Sequence, residues 1–228
     1  RDSYTDNESG DTINPSAGTP AHGLRKLGLI SGDGTPSPRG LLFSLFQGGE
    51  GLAVAAALED PHYPVDELVL HLANLRGGHR FELDTVPEAE KLLDSVGSER
   101  LATACRQAYG PVDFEGYLRL GLPPGYGEGA AEVISLMLEG RLSRLLGKSA
   151  QPEFGSGDVE RCYVEWLSLL RHIRHAPDLD NDRWHELKAA ATRELKRRDR
   201  SSPLATMPDL PASVLQKRPQ NSVFYKTL

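Results

Sequence analysis

Six cationic side chains carry most of the chemistry that residue type and spacing suggest. Arg141, Arg144 and Lys148 recur at spacings of three and four, which places them on one face of a helix. Arg76 and Arg80, with His79 between them, cluster after an apolar run, and Arg39 lies in a loop rich in Gly and Pro. Arg193, Lys196, Arg197 and Arg200 line another face near the end of the chain. A row of guanidinium and ammonium groups neutralises successive phosphates, so the chemistry expected of such faces is contact with a nucleic-acid backbone. The competing explanation of any one cluster is an ordinary solvated helix face.

Catalytic constellations are incomplete. Gly147-Lys148-Ser149 ends like a phosphate-binding loop, but the glycine needed five residues earlier is Leu142, and the preceding segment reads as helix rather than strand. Gly125-Tyr126-Gly127-Glu128-Gly129 lacks the dinucleotide spacing, and Glu128 would repel an anion at the following helix start. His172 and His175 alternate with Arg171 and Arg174, which oppose a metal cation, and no CxxC pair occurs, so a solvated basic helix end is expected. No GxSxG elbow exists. Cys162 falls on an apolar face with Tyr163 and Trp166, as a core cysteine does, whereas Cys105 beside Arg106 is expected to be partly exposed. Glu50, Glu59, Asp60 and Glu128 stand singly at helix ends, where capping explains them.

The elements that must position these groups follow from periodicity. Residues 21–30 read as the end of a helix, 31–39 as a Gly/Pro loop, and 41–46 as a short apolar element, the pattern of a wing in a winged helix. Residues 50–59 are apolar almost all round, which predicts a buried helix. Val65, Leu68, Val69, Leu72 and Ala73 repeat at helical spacing until Gly77-Gly78. Short helices are expected at 87–95 and 98–108, a helical turn or two at 113–120, and an irregular connection within 110–129. Longer helices are expected at 128–146, at 158–175, and from an Asp180 or Asn181 cap to about Arg198. The fold class expected is mainly α. A winged-helix remnant at 21–47 leads into a helical bundle at 48–200, between a disordered segment at 1–20 and an extended tail at 201–228.

Composition sets the outer limits. The chain has 228 residues, 39% hydrophobic and 25% charged, with mean hydropathy −0.41. That length can bury a core without covalent staples. Two cysteines exclude a disulfide scaffold, and no run of 18 apolar residues is present to make a membrane-spanning helix. A cytoplasmic location is the expectation that follows. Net charge is −6, unevenly spread: residues 1–114 hold nine basic and 17 acidic groups, residues 115–228 hold 17 and 15. A net acidic chain argues against a protein that coats nucleic acid, while local basic faces stay compatible with backbone contact. The chain begins at Arg1 and its first methionine is Met137, which suggests processing or a longer parent chain.

Residues 27–82 resemble the region that follows the motor domains in large bacterial DEAD/DEAH-box superfamily-two helicases. In helicases of the superkiller type a winged helix ends in a T-x-x-G segment and leads into a helical ratchet domain. Thr35-Pro36-Ser37-Pro38-Arg39-Gly40 matches that segment in kind but is longer between Thr and Gly, and Ser44 and Phe46 follow where the family often has a serine and an aromatic. Gly49-Glu50-Gly51-Leu52-Ala53 and Leu72-Ala73-Asn74-Leu75-Arg76 are the most distinctive stretches. The sequence holds no Walker A motif and no DEAD/DEAH box. The resemblance therefore implies an accessory C-terminal region with no cofactor of its own, ATP and Mg being bound by motor domains elsewhere in a longer chain. Its implied partners are those motor domains and single-stranded nucleic acid, with no membrane. Arg39, Arg76, Arg80, Arg141, Arg144 and Lys148 are the expected strand contacts. The alternative is a stand-alone helical module that binds another protein.

Overall fold

A computed structural model describes residues 19–81, 97, 99–141 and 155–199. Among these the regular elements are helices, and the only β-pairings are isolated bridges. The segments expected to be disordered or extended, 1–18 and 200–228, lie outside the described residues, as do 82–96, which contains the helix expected at 87–95, and 142–154.

Helix α1 (Pro20–Lys26) starts at Thr19, whose hydroxyl accepts from the His22 N–H at 3.3 Å, with Pro20 in the first turn. Gly28, at φ +71°, ends it. The following loop closes through the Ile30–Pro36 bridge. The second apolar run is helix α2 (Pro38–Ser44), not the returning strand of a wing. The Ser37 side chain explains this outcome. Its Oγ accepts from the Gly40 N–H at 3.0 Å, capping α2, and donates to the Gly28 carbonyl at 2.5 Å, anchoring the loop to the end of α1. Gly40 is required here, because a Cβ would lie 1.9 Å from the Leu29 carbonyl oxygen.

Helix α3 (Glu50–Glu59) is the centre of the body, with every residue from Gly51 to Leu58 buried, as the apolar run predicts. Leu52, Val54 and Leu58 each contribute about 1.5–3 kcal/mol through that burial. Leu27, Leu29, Leu42 and Phe46 belong to the same buried cluster, so the segment before residue 48 shares its core with the helices after it.

Helix α4 (Val65–His71) begins at Pro64 with Asp66 and Glu67 at its positive end. The stripe continues to Ala73 in sequence, but the helix breaks sooner and resumes as α5 (Asn74–Gly77) and a 3₁₀ turn at Gly78–Arg80. Asn74, fully buried, is tied to the chain opposite. Its Oδ1 accepts from the Ala131 N–H at 2.8 Å and its carbonyl accepts from the Gly127 N–H at 3.1 Å. Gly78 and Gly127 meet backbone to backbone, and a Cβ on Gly78 would lie 1.9 Å from the Gly127 oxygen.

Helix α6 (Glu99–Tyr109) packs on α3 and follows Gly97, at φ +63°. Residues 113–120 do not make the expected helical turn. They form two small antiparallel bridges, Phe114–Leu118 and Arg119–Leu122, the second closed by a two-residue tip of Leu120 and Gly121. Helix α7 (Gly129–Leu138) is shorter than the sequence suggests. Gly140, at φ +67°, ends it, and the Arg141 N–H donates back to the Leu136 carbonyl at 2.8 Å.

Helices α8 (Ser156–His175) and α9 (Asp182–Asp199) form the longest pair, an antiparallel hairpin across residues 176–181. Asn181 caps α9 by accepting from the Trp184 N–H at 2.9 Å. The Trp166 indole donates to the Val69 carbonyl at 2.8 Å, fastening α8 to α4. No helix among the described residues is long and apolar enough to cross a membrane.

Candidate nucleic-acid interface

The structure gives the predicted arginines different surroundings. Arg39 reaches from α2 to the end of α3, where its Nε donates to Glu59 Oε1 at 2.7 Å and a second guanidinium nitrogen pairs with the other oxygen. A third nitrogen donates to the Leu27 carbonyl at 2.8 Å, and the guanidinium lies 5.2 Å from the Tyr109 ring centroid. The Glu59 bond raises the Arg39 pKa.

Arg76 makes a two-point contact with Glu50 at 2.6 and 3.0 Å. Glu50, expected to act as a cap, instead joins the start of α3 to α5. Arg80 makes the equivalent fork on Glu165 of α8 at 3.1 and 3.3 Å, and Arg161 adds a third bond at 3.0 Å. Burial pushes the Glu165 carboxyl up, and the bonds from Arg80 and Arg161 more than reverse this, leaving it below the ordinary carboxylate range. Arg39, Arg76 and Arg80 are thus arranged as bidentate ties between helices. Arg141 lies past the end of α7 and pairs at the surface with Glu139 at 2.8 Å. Arg144 and Lys148, with the Gly147-Lys148-Ser149 run, lie outside the described residues.

Other cations are more available. On the α8–α9 hairpin, Arg161 is held by Glu165, Arg193 by Asp66, and Arg197 and Arg198 by Glu194. Arg171, Arg174 and Lys196 are exposed and have no carboxylate partner among the described residues. The same holds for Arg106 on α6 and Arg119 beside the hairpin tip. His172 is exposed, and its Nε2 donates to the Leu45 carbonyl at 2.5 Å, which pins the end of α8 against the end of α2.

Arg183, in the first turn of α9, reaches back to α3. Its guanidinium donates to the carbonyls of Leu58 at 2.9 Å and Tyr63 at 2.6 Å, with longer contacts to Ala57 and Pro61 at 3.4 and 3.5 Å. It therefore closes the carbonyl end of α3 and the turn into α4.

The remaining chemistry-bearing groups are interior. Cys105 is buried, not partly exposed, and burial pushes its thiol up to about 12; burial does the same to Cys162. Such thiols are not nucleophiles at neutral pH. His71, Asn74 and Glu132 are fully buried, and the His71 Nδ1 shares a 2.6 Å hydrogen bond with the Tyr63 hydroxyl. Sequence reasoning passed over His71 and Glu132, because each sits singly in an apolar helix stripe with no motif around it. Among the described residues no group of three or more His, Cys, Asp or Glu side chains converges as a metal site.

No protein-family model, curated protein or solved structure matches this chain.

Proposed function

We propose that the chain is a non-catalytic accessory region of an ATP-dependent nucleic-acid helicase that contacts and guides a translocating single strand. The resemblance of residues 27–82 supplies the motor context. The observation that carries the reading is the division of labour among the cations. Arg39, Arg76, Arg80 and Arg183 are bound to carboxylates or carbonyls and set the helix positions. Arg106, Arg119, Arg171, Arg174 and Lys196 are exposed on the outside, with no carboxylate partner among the described residues. In this reading a rigid body is tied from within, and phosphates meet the second set. Arg141, Arg144 and Lys148 remain candidate contacts, while ATP and Mg act in motor domains of the same longer chain.

The test is the reading frame preceding Arg1. A GxxxxGK[ST] motif and a DExx motif upstream in the same polypeptide are expected, and a start codon just before Arg1 contradicts the proposal.

One observation favours a second reading, a helical module that docks on another protein. Leu120 is 62% exposed and has φ +51°, a conformation a leucine rarely adopts. An apolar side chain held out at the tip of a two-residue turn suits insertion into a partner's pocket. Association with a protein that is unaffected by salt, without affinity for oligonucleotides, decides for this reading.

A further inference from the structure

The last turn of α8 gathers two arginines and two histidines at the surface. Arg171, His172, Arg174 and His175 fall within five residues, and all four are exposed. At 3.6 residues per turn, Arg171, Arg174 and His175 lie within about 100° of one another on the helix, with buried Ile173 on the opposite side.

An ordinary reason for cations at a helix C-terminus is to satisfy its carbonyls and its dipole. Here part of that task is done by other groups. The Ala176 N–H donates to the His172 carbonyl at 2.9 Å and to the Ile173 carbonyl at 3.3 Å. Lys188 from α9 donates to the Ala176 carbonyl at 2.7 Å and also pairs with Asp178. The acid closest in sequence is therefore occupied, and the two arginines have no carboxylate partner among the described residues. His172 fixes the turn against the Leu45 carbonyl, so the cations are presented from a rigid support.

We propose that this turn, through Arg171 and Arg174 with His175 beside them, is the anion site that holds the phosphates of a single-stranded nucleic acid. The inference rests on the strand-contact reading above and names its location. Arginine suits the task because its planar fork meets two phosphate oxygens at once.

The experiment follows the fluorescence anisotropy of a labelled 20-nucleotide oligo-dT on titration with the full chain. Three proteins are compared at one low salt concentration: wild type, R171E/R174E, and R106E/R119E, which reverses the same number of exposed charges elsewhere. The expected result is at least about tenfold weaker binding for R171E/R174E, with R106E/R119E close to wild type. Far-UV circular dichroism confirms that the helices persist, and R171Q/R174Q repeats the comparison without introducing acids. Equal losses in both charge reversals would mean diffuse attraction and overturn the site. Undiminished binding by R171E/R174E also overturns it, while the strand-contact reading survives. Absence of binding by the wild type overturns both.

Discussion

Arg183 offers the sharpest residue-level test of how the body is held. Its guanidinium serves the Leu58 carbonyl at the end of α3 and the Tyr63 carbonyl in the turn that follows. Replacement by alanine leaves those acceptors buried and unmatched, and is expected to cost about 2–3 kcal/mol in urea unfolding. A surface cation of the same helix, Lys196, is expected to cost less than about 0.5 kcal/mol when changed to alanine. Glu165 carries a pH signature. Its folded-state pKa is lowered by Arg80 and Arg161, so its contribution is fully present above the unfolded value of about 4.3 and is lost as pH falls through the folded value. Stability should therefore decline below pH ~4.3, and Glu165→Gln should flatten that part of the profile. An unchanged slope in the variant would mean that the forks from Arg80 and Arg161 do not hold in solution.

At the scale of elements, one close approach fixes the end of α5 and the turn after it. Gly78 against Gly127 leaves no room for a side chain, and the obstructing atoms are backbone. Gly78→Ala should therefore cost about 1–3 kcal/mol through overpacking. The tip at Leu120 predicts the opposite sign. Its turn favours Asn or Gly at that position, and a left-handed leucine costs roughly 1–2 kcal/mol. Leu120→Asn should raise the thermal midpoint; a lowered midpoint would show that the exposed side chain supports the fold. Much of this level was legible in sequence. The apolar run at 50–59 and the stripe of Leu68, Val69 and Leu72 predicted α3 and α4, and Asn181 was a readable cap. The early end of α7 and the bridged loop at 113–122 were not, because both turn on positive-φ residues, Gly140 in the one and Leu120 and Gly121 in the other. The helical state of residues 38–44 was hidden for a related reason. It turns on Ser37 bonding in two directions, which spacing does not show.

For the whole molecule, the cations divide between ties and free surface, and that division was the least legible feature. A run of basic residues looks the same whether each arginine meets a distant carboxylate or solvent. Arg76 and Glu50 are 26 positions apart, and Arg80 and Glu165 are 85 apart, so only the folded chain reveals the pairs. The Arg171–His175 turn, which the sequence suggested was an ordinary solvated helix end, holds two of the five exposed cations that have no carboxylate partner among the described residues. The central claim is that this helical body contacts a single strand through its phosphates. Its most direct test is the salt dependence of oligo-dT binding by the wild-type chain. Two phosphates neutralised by Arg171 and Arg174 predict that log K falls with log salt at a slope of about −1.4 or steeper. A slope near zero, or no binding at low salt, would contradict the account.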